Sequence, residues 1–120
     1  MPDTLTSKTY WAKIYIAGDY DTARQICKQF CMRGLCVNVS QTNYIYTGGE
    51  EVGVVVELIN YPKFASTPQE ILDTTKVLAG HLLMSLCQFS YTIMTPEETF
   101  FYSRGEDVRK KNRTEERLVK

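Results

Sequence analysis

Polar and apolar positions alternate from Tyr10 to Ala17, with Trp11, Lys13 and Tyr15 interleaved between Ala12, Ile14 and Ile16. A two-residue period predicts a strand there. Gly18 and Asp19 close it, and either Asp19 or Asp21 can cap a following helix. In that helix Ala23, Ile26, Cys27 and Phe30 recur at helical spacing, while Asp21, Arg24, Lys28 and Gln29 face water. Gly34 suits a left-handed C-terminal cap. Leu35, Val37 and Val39 then alternate with Cys36, Asn38 and Ser40, which predicts a long strand over Leu35–Tyr46. Because Tyr44 and Tyr46 flank Ile45, the phase shifts around Gln41–Asn43, and a bulge or strong twist is expected. Thr47-Gly48-Gly49-Glu50 predicts a hairpin turn. Val52–Ile59 has valines on both faces and reads as a covered strand.

Tyr61–Ser66 is a connector punctuated by Pro62. Thr67-Pro68-Gln69-Glu70 predicts a helix start, with a reciprocal capping box and a proline where its missing N–H costs nothing. This helix runs to about Leu86, with Ile71, Leu72, Thr75, Leu78, Ala79, Leu82 and Leu86 facing inward and Leu83 and Met84 widening the stripe. Ser90–Thr95 predicts another strand, Phe100–Tyr102 a short extra one, and Glu106–Leu118 a charged surface helix. The organisation is a loose arm over 1–9, a domain over 10–104 and a charged tail over 105–120. Strand, helix, strand, strand, helix, strand is the βαββαβ order of an α+β, ferredoxin-like sandwich with a helical extension. Its helices share one sheet face, leaving the other to water or a partner subunit.

Composition changes this picture little. The chain has 120 residues, enough for one core, and its 14 basic and 14 acidic side chains cancel. No global field would draw it to nucleic acid or an anionic membrane. The longest apolar runs are too short to span a bilayer, and no signal-peptide pattern opens the chain. A cytoplasmic protein with reduced cysteines is expected.

The stretch AGDYDTARQICKQF…GLCVNV…YIYTGGEEVGVVVEL, roughly residues 12–58, resembles the front half of the CutA-type divalent-ion tolerance proteins. The matching positions are Asp19, Thr22 and Ala23, then Cys36, Val37 and Asn38, then Tyr44, Tyr46 (where the family has Trp), Gly48 and Glu51. Glu57 stands where the family ends its strand on Lys, and Cys87-Gln88-Phe89 replaces a His-Pro-Tyr segment. The resemblance implies a homotrimer related in architecture to the PII group. It makes Cys36 the counterpart of a cysteine associated with copper, so copper or another divalent ion is the cofactor it suggests.

The candidate residues follow from both arguments. Tyr44, Tyr46 and Glu51 are the ligand-binding candidates, since aromatic rings at strand ends suit interfaces and base-stacking pockets. Cys36 and His81 are the metal candidates. Cys27 and Cys31 lie one helical turn apart, spaced for a soft metal, although Cys27 also falls on the core stripe. The basic run Arg109–Lys111 reads as a solvated helix face. With one histidine and no carboxylate near it in sequence, no nucleophilic site can be built, and a non-enzyme is expected. The expected function is therefore a non-enzymatic CutA/PII-like trimer holding a small ligand or metal between subunits. The alternatives are a sensor or sequestering protein for a nucleotide-like ligand, and a protein-interaction module.

Overall fold

The computed structural model describes residues 3–104. Its elements are β1 (Trp11–Ala17), α1 (Tyr20–Phe30), β2 (Asn38–Tyr46), β3 (Gly49–Ile59), α2 (Pro68–Ser85), β4 (Ser90–Met94) and β5 (Thr99–Ser103). Short 3₁₀ turns at Cys31–Arg33 and Pro62–Phe64 follow α1 and β3. The strands form one antiparallel sheet in the order β2-β3-β1-β4-β5. The first four have the ferredoxin-like arrangement, and Thr99–Ser103 is the extra strand, added at the edge beside β4. The expected helix at 106–118 and the basic run within it lie outside the described residues.

One sheet face is dry. Ala12, Ile14, Ile16, Val54, Val56, Leu58 and Ile93 are buried there against Ala23, Cys27 and Phe30 of α1 and Ile71, Leu78, Ala79, Leu82 and Leu83 of α2. Thr75 joins them by donating its hydroxyl to the Ile71 carbonyl at 2.7 Å, so its burial leaves no polar atom unpaired. Met84, expected to widen the stripe, instead faces outward. The helix starts follow their caps. Asp19 accepts from the Thr22 amide at 2.9 Å, and Thr67 and Glu70 form the reciprocal box, at 3.1 and 2.9 Å. In the arm, the Ser7 hydroxyl donates to the Asn60 carbonyl, and the Asn60 side chain donates to the Lys8 carbonyl.

The expected bulge in β2 is absent. Pairing with β3 runs without a break from Asn38↔Glu57 to Tyr46↔Gly49. Val39, Gln41, Asn43 and Ile45 therefore share the helix-side face, and Ser40, Thr42, Tyr44 and Tyr46 the open one. The phase never changes. Gln41 and Asn43 are polar because the hairpin outruns α1, as the exposure of Ile45 and Val52 shows. The turn is a two-residue one at Thr47-Gly48, with Gly48 at φ +85°.

The open face is amphipathic. Lys13 pairs with Glu57 at 3.8 Å and lies 5.0 Å from the Trp11 ring centre. No described helix is long and apolar enough to cross a membrane.

Candidate functional site

A cleft of about 190 Å³ opens at one end of the sheet. Tyr15, Ile16 and Ala17 at the end of β1, Tyr44, Glu51, and Gln88, Ser90, Tyr91 and Thr92 line it. Register explains the convergence. Tyr15 lies beside Thr92 across β1–β4, Ala17 beside Gly53 across β1–β3, and Tyr44 opposite Glu51 across the hairpin.

Gly53 sets the depth of the cleft. A Cβ there would lie 2.4 Å from the Tyr44 ring and 2.6 Å from the Ile16 carbonyl oxygen. Only glycine leaves room for the Tyr44 ring to lie flat across β3. The Tyr44 hydroxyl then donates to the Val54 carbonyl at 2.5 Å. Burial pushes its phenol up to about 12, so at neutral pH Tyr44 is a protonated, engaged donor and not a base.

The opposite wall hangs from the end of α2. The Cys87 amide donates to Met84 O and the Gln88 amide to Leu83 O, the paired bonds of a Schellman cap. This cap puts Cys87 at φ +55°. Gly18 supports it from below, because a Cβ there would lie 3.0 Å from the Leu86 side chain. The close approach brings Gln88 beside Ala17. Tyr91 is stacked on Tyr102, with ring centres 5.2 Å apart, and burial raises its phenol.

Glu51 is the one charged residue among the nine that line the cleft. A carboxylate among three tyrosine rings suits a ligand that combines a flat ring with positive charge, by stacking, cation–π attraction and direct charge pairing. The polar groups of Gln88, Ser90 and Thr92 add hydrogen-bonding capacity for orientation.

Of the sequence candidates, Tyr44 and Glu51 meet in this cleft and Tyr46 does not. Tyr46 packs over Gly49 at the hairpin end, half exposed. Tyr15, Gln88, Ser90, Tyr91 and Thr92 join the site through the β1–β4 pairing, a neighbourhood that periodicity does not reveal. Cys36 lies before β2, its thiol 3.3 Å from the Tyr61 hydroxyl, and His81 lies on α2, its ring centre 5.7 Å from that of Phe30. The two cavities that Cys36 lines do not include His81. Among the described residues no group of three or more His, Cys, Asp or Glu could hold a metal ion.

No family model and no curated protein matches the sequence, so the likeness of residues 12–58 to the CutA-type proteins rests on the quoted motifs. Two solved structures share the fold. One is a phage SAM lyase in the apo state, at TM-score 0.62 and 11% identity over 82% of this chain and 91% of that one. The other is a phage SAM lyase in complex with S-methyl-5'-thioadenosine, at TM-score 0.58 and 10% identity over 86% and 95%. At these identities the likeness carries the fold. The expectation of a non-enzymatic CutA/PII-like ligand binder is corrected by these matches, both of which are structures of an enzyme.

Proposed function

We propose that this protein is a lyase of S-adenosylmethionine that works in the cleft between Tyr44, Glu51, Tyr91 and Gln88. The observation that carries the proposal is the cleft's single carboxylate set among tyrosine rings. It lies in the fold of a lyase solved with S-methyl-5'-thioadenosine bound. S-adenosylmethionine has a flat adenine at one end and a sulfonium and an ammonium at the other. Release of S-methyl-5'-thioadenosine breaks the bond between the sulfonium sulfur and the four-carbon amino-acid chain. The sulfur keeps the electron pair, and an oxygen of the substrate's own carboxylate bonds to the carbon it leaves, closing a lactone that keeps the ammonium group. The charged sulfonium thereby becomes a neutral thioether. In this reading the tyrosines seat the adenosyl group, Glu51 answers the positive charge, and Gln88 orients the polar chain. Tyr44 holds the wall in place through its bond to Val54.

Incubation of the protein with S-adenosylmethionine, followed by liquid chromatography and mass spectrometry, is expected to show S-methyl-5'-thioadenosine accumulating. Glu51→Gln is expected to lower kcat/KM by on the order of 100-fold, the usual effect of removing one charge-matching group. A folded wild-type protein giving no product above the spontaneous background would refute the proposal.

We also infer a homotrimer, the assembly that the resemblance of residues 12–58 to the CutA-type proteins implies. A cleft of about 190 Å³ falls short of the roughly 300–1,000 Å³ of a complete ligand pocket, which supports closure by a neighbouring copy. The edge of β2, unpaired among the described residues, supports association: Asn38–Tyr46 holds neither charge nor proline, the usual guards of an edge strand.

A further inference from the structure

A cavity of about 310 Å³ lies between α1 and β2, away from the cleft, lined by Arg24, Cys27, Lys28, Cys31, Cys36 and neighbouring apolar residues. Three of the four cysteines line it, and they are not equivalent. Cys27 is buried, and burial pushes its thiol up to about 11, which keeps it protonated. Cys31 is half-buried just after α1, and burial, with the nearby Cys36, raises its thiol. Both Cys31 and Cys36 line this cavity. Cys36 is exposed, and its thiol is turned toward the Tyr61 hydroxyl, 3.3 Å away. Between the two cysteines runs a 3₁₀ turn ending in Gly34 at φ +95°. This short segment reverses the chain and faces the two side chains toward one cavity.

We propose that Cys31 and Cys36 form a reversible intramolecular disulfide, which makes the α1–β2 corner an oxidation site for hydrogen peroxide. Rotation about the Cα–Cβ bond of Cys36 releases Tyr61 and swings the thiol toward Cys31. The Cys36 thiolate attacks one peroxide oxygen, the O–O bond breaks, and hydroxide leaves to give a sulfenic acid. The Cys31 sulfur then attacks the Cys36 sulfur, the S–O bond breaks, and water leaves with the thiol proton. The balance is two thiols and one peroxide to one disulfide and two waters. A six-residue loop with a glycine inside it keeps the closure entropy small, and the buried Cys27 does not compete.

The test is peroxide treatment of the whole protein, alkylation of the remaining thiols and tryptic mapping. Cleavage after Arg24, Lys28, Arg33 and Lys63 separates Cys27 (25–28), Cys31 (29–33) and Cys36 (34–63) into different peptides. Peptides 29–33 and 34–63 are expected to appear joined, with two hydrogens lost, and to separate on treatment with a dithiol reductant. Cys36→Ser keeps the hydrogen bond to Tyr61 through its hydroxyl, and Cys31→Ser is the matching change at the other position; each is expected to abolish the joined species. A link between 25–28 and 29–33, a link between copies, or Cys36 driven to sulfinic acid while Cys31 stays a thiol would each overturn the proposal.

Discussion

Cys87 occupies a left-handed backbone conformation that a side chain makes costly, and it does so to seat Gln88 at the cleft wall. Glycine is the residue this cap position favours. Cys87→Gly is therefore expected to raise stability by about 0.5–1 kcal/mol, read as a higher urea midpoint at unchanged slope. A lower midpoint would mean that the cysteine side chain contributes packing that outweighs the strain. The same residue shows a limit of sequence reading. Cys87-Gln88-Phe89 lacks the usual glycine or asparagine signal, so neither the cap nor the site role of Gln88 is legible from composition. Tyr44 and Glu51 are legible, because a hairpin register places strand-end residues of fixed spacing opposite each other. Tyr46 misleads for a related reason: two positions on, it keeps the same face but passes the end of the cleft.

At the scale of elements, local signals are the readable ones. The Thr67/Glu70 box and the Asp19 cap are specified within four residues, and both helices start where those residues require. Thr67→Ala is expected to cost about 1 kcal/mol, seen as a lower denaturation midpoint, and an unchanged midpoint would show that the helix start is held by packing alone. The caps also set a pH dependence. Hydrogen bonds from Thr67 and from Thr22 hold Glu70 and Asp19 below their ordinary values of 4.5 and 3.8. Their contribution is full above those values and is lost as pH falls through the lower folded ones. Thermal scans across that acid window are expected to show a smaller pH-dependent fall in Tm for Glu70→Gln than for the wild type. The β2 phase was less readable because a strand that outruns its covering helix changes composition without changing register. Only the partner strand and the end of α1 reveal which has happened.

At the scale of the whole molecule, the described residues leave more apolar and edge surface exposed than a core needs. Tyr46, Phe101 and Tyr102 are about half exposed, and β2 has an open edge. Light scattering at micromolar concentration is expected to give three times the chain mass, and a monomer would refute the homotrimer. The βαββαβ order is legible from period and turn chemistry alone. The candidate cleft was not legible in the sequence, since it is assembled from four strand ends far apart in the chain and contains no motif.

The contact of Tyr44 with Gly53 has a consequence for how this chain can change over generations. Any Cβ at position 53 displaces the Tyr44 ring and presses on the Ile16 carbonyl. A smaller residue at 44 removes the first clash but leaves the second, since the carbonyl belongs to the backbone. The dependence is therefore one-way: Tyr44 is replaceable while Gly53 stays, but Gly53 is not replaceable merely because Tyr44 has gone. Among descendants of this sequence, glycine at 53 should outlast the aromatic at 44, and lineages that retain the ring should all carry the glycine.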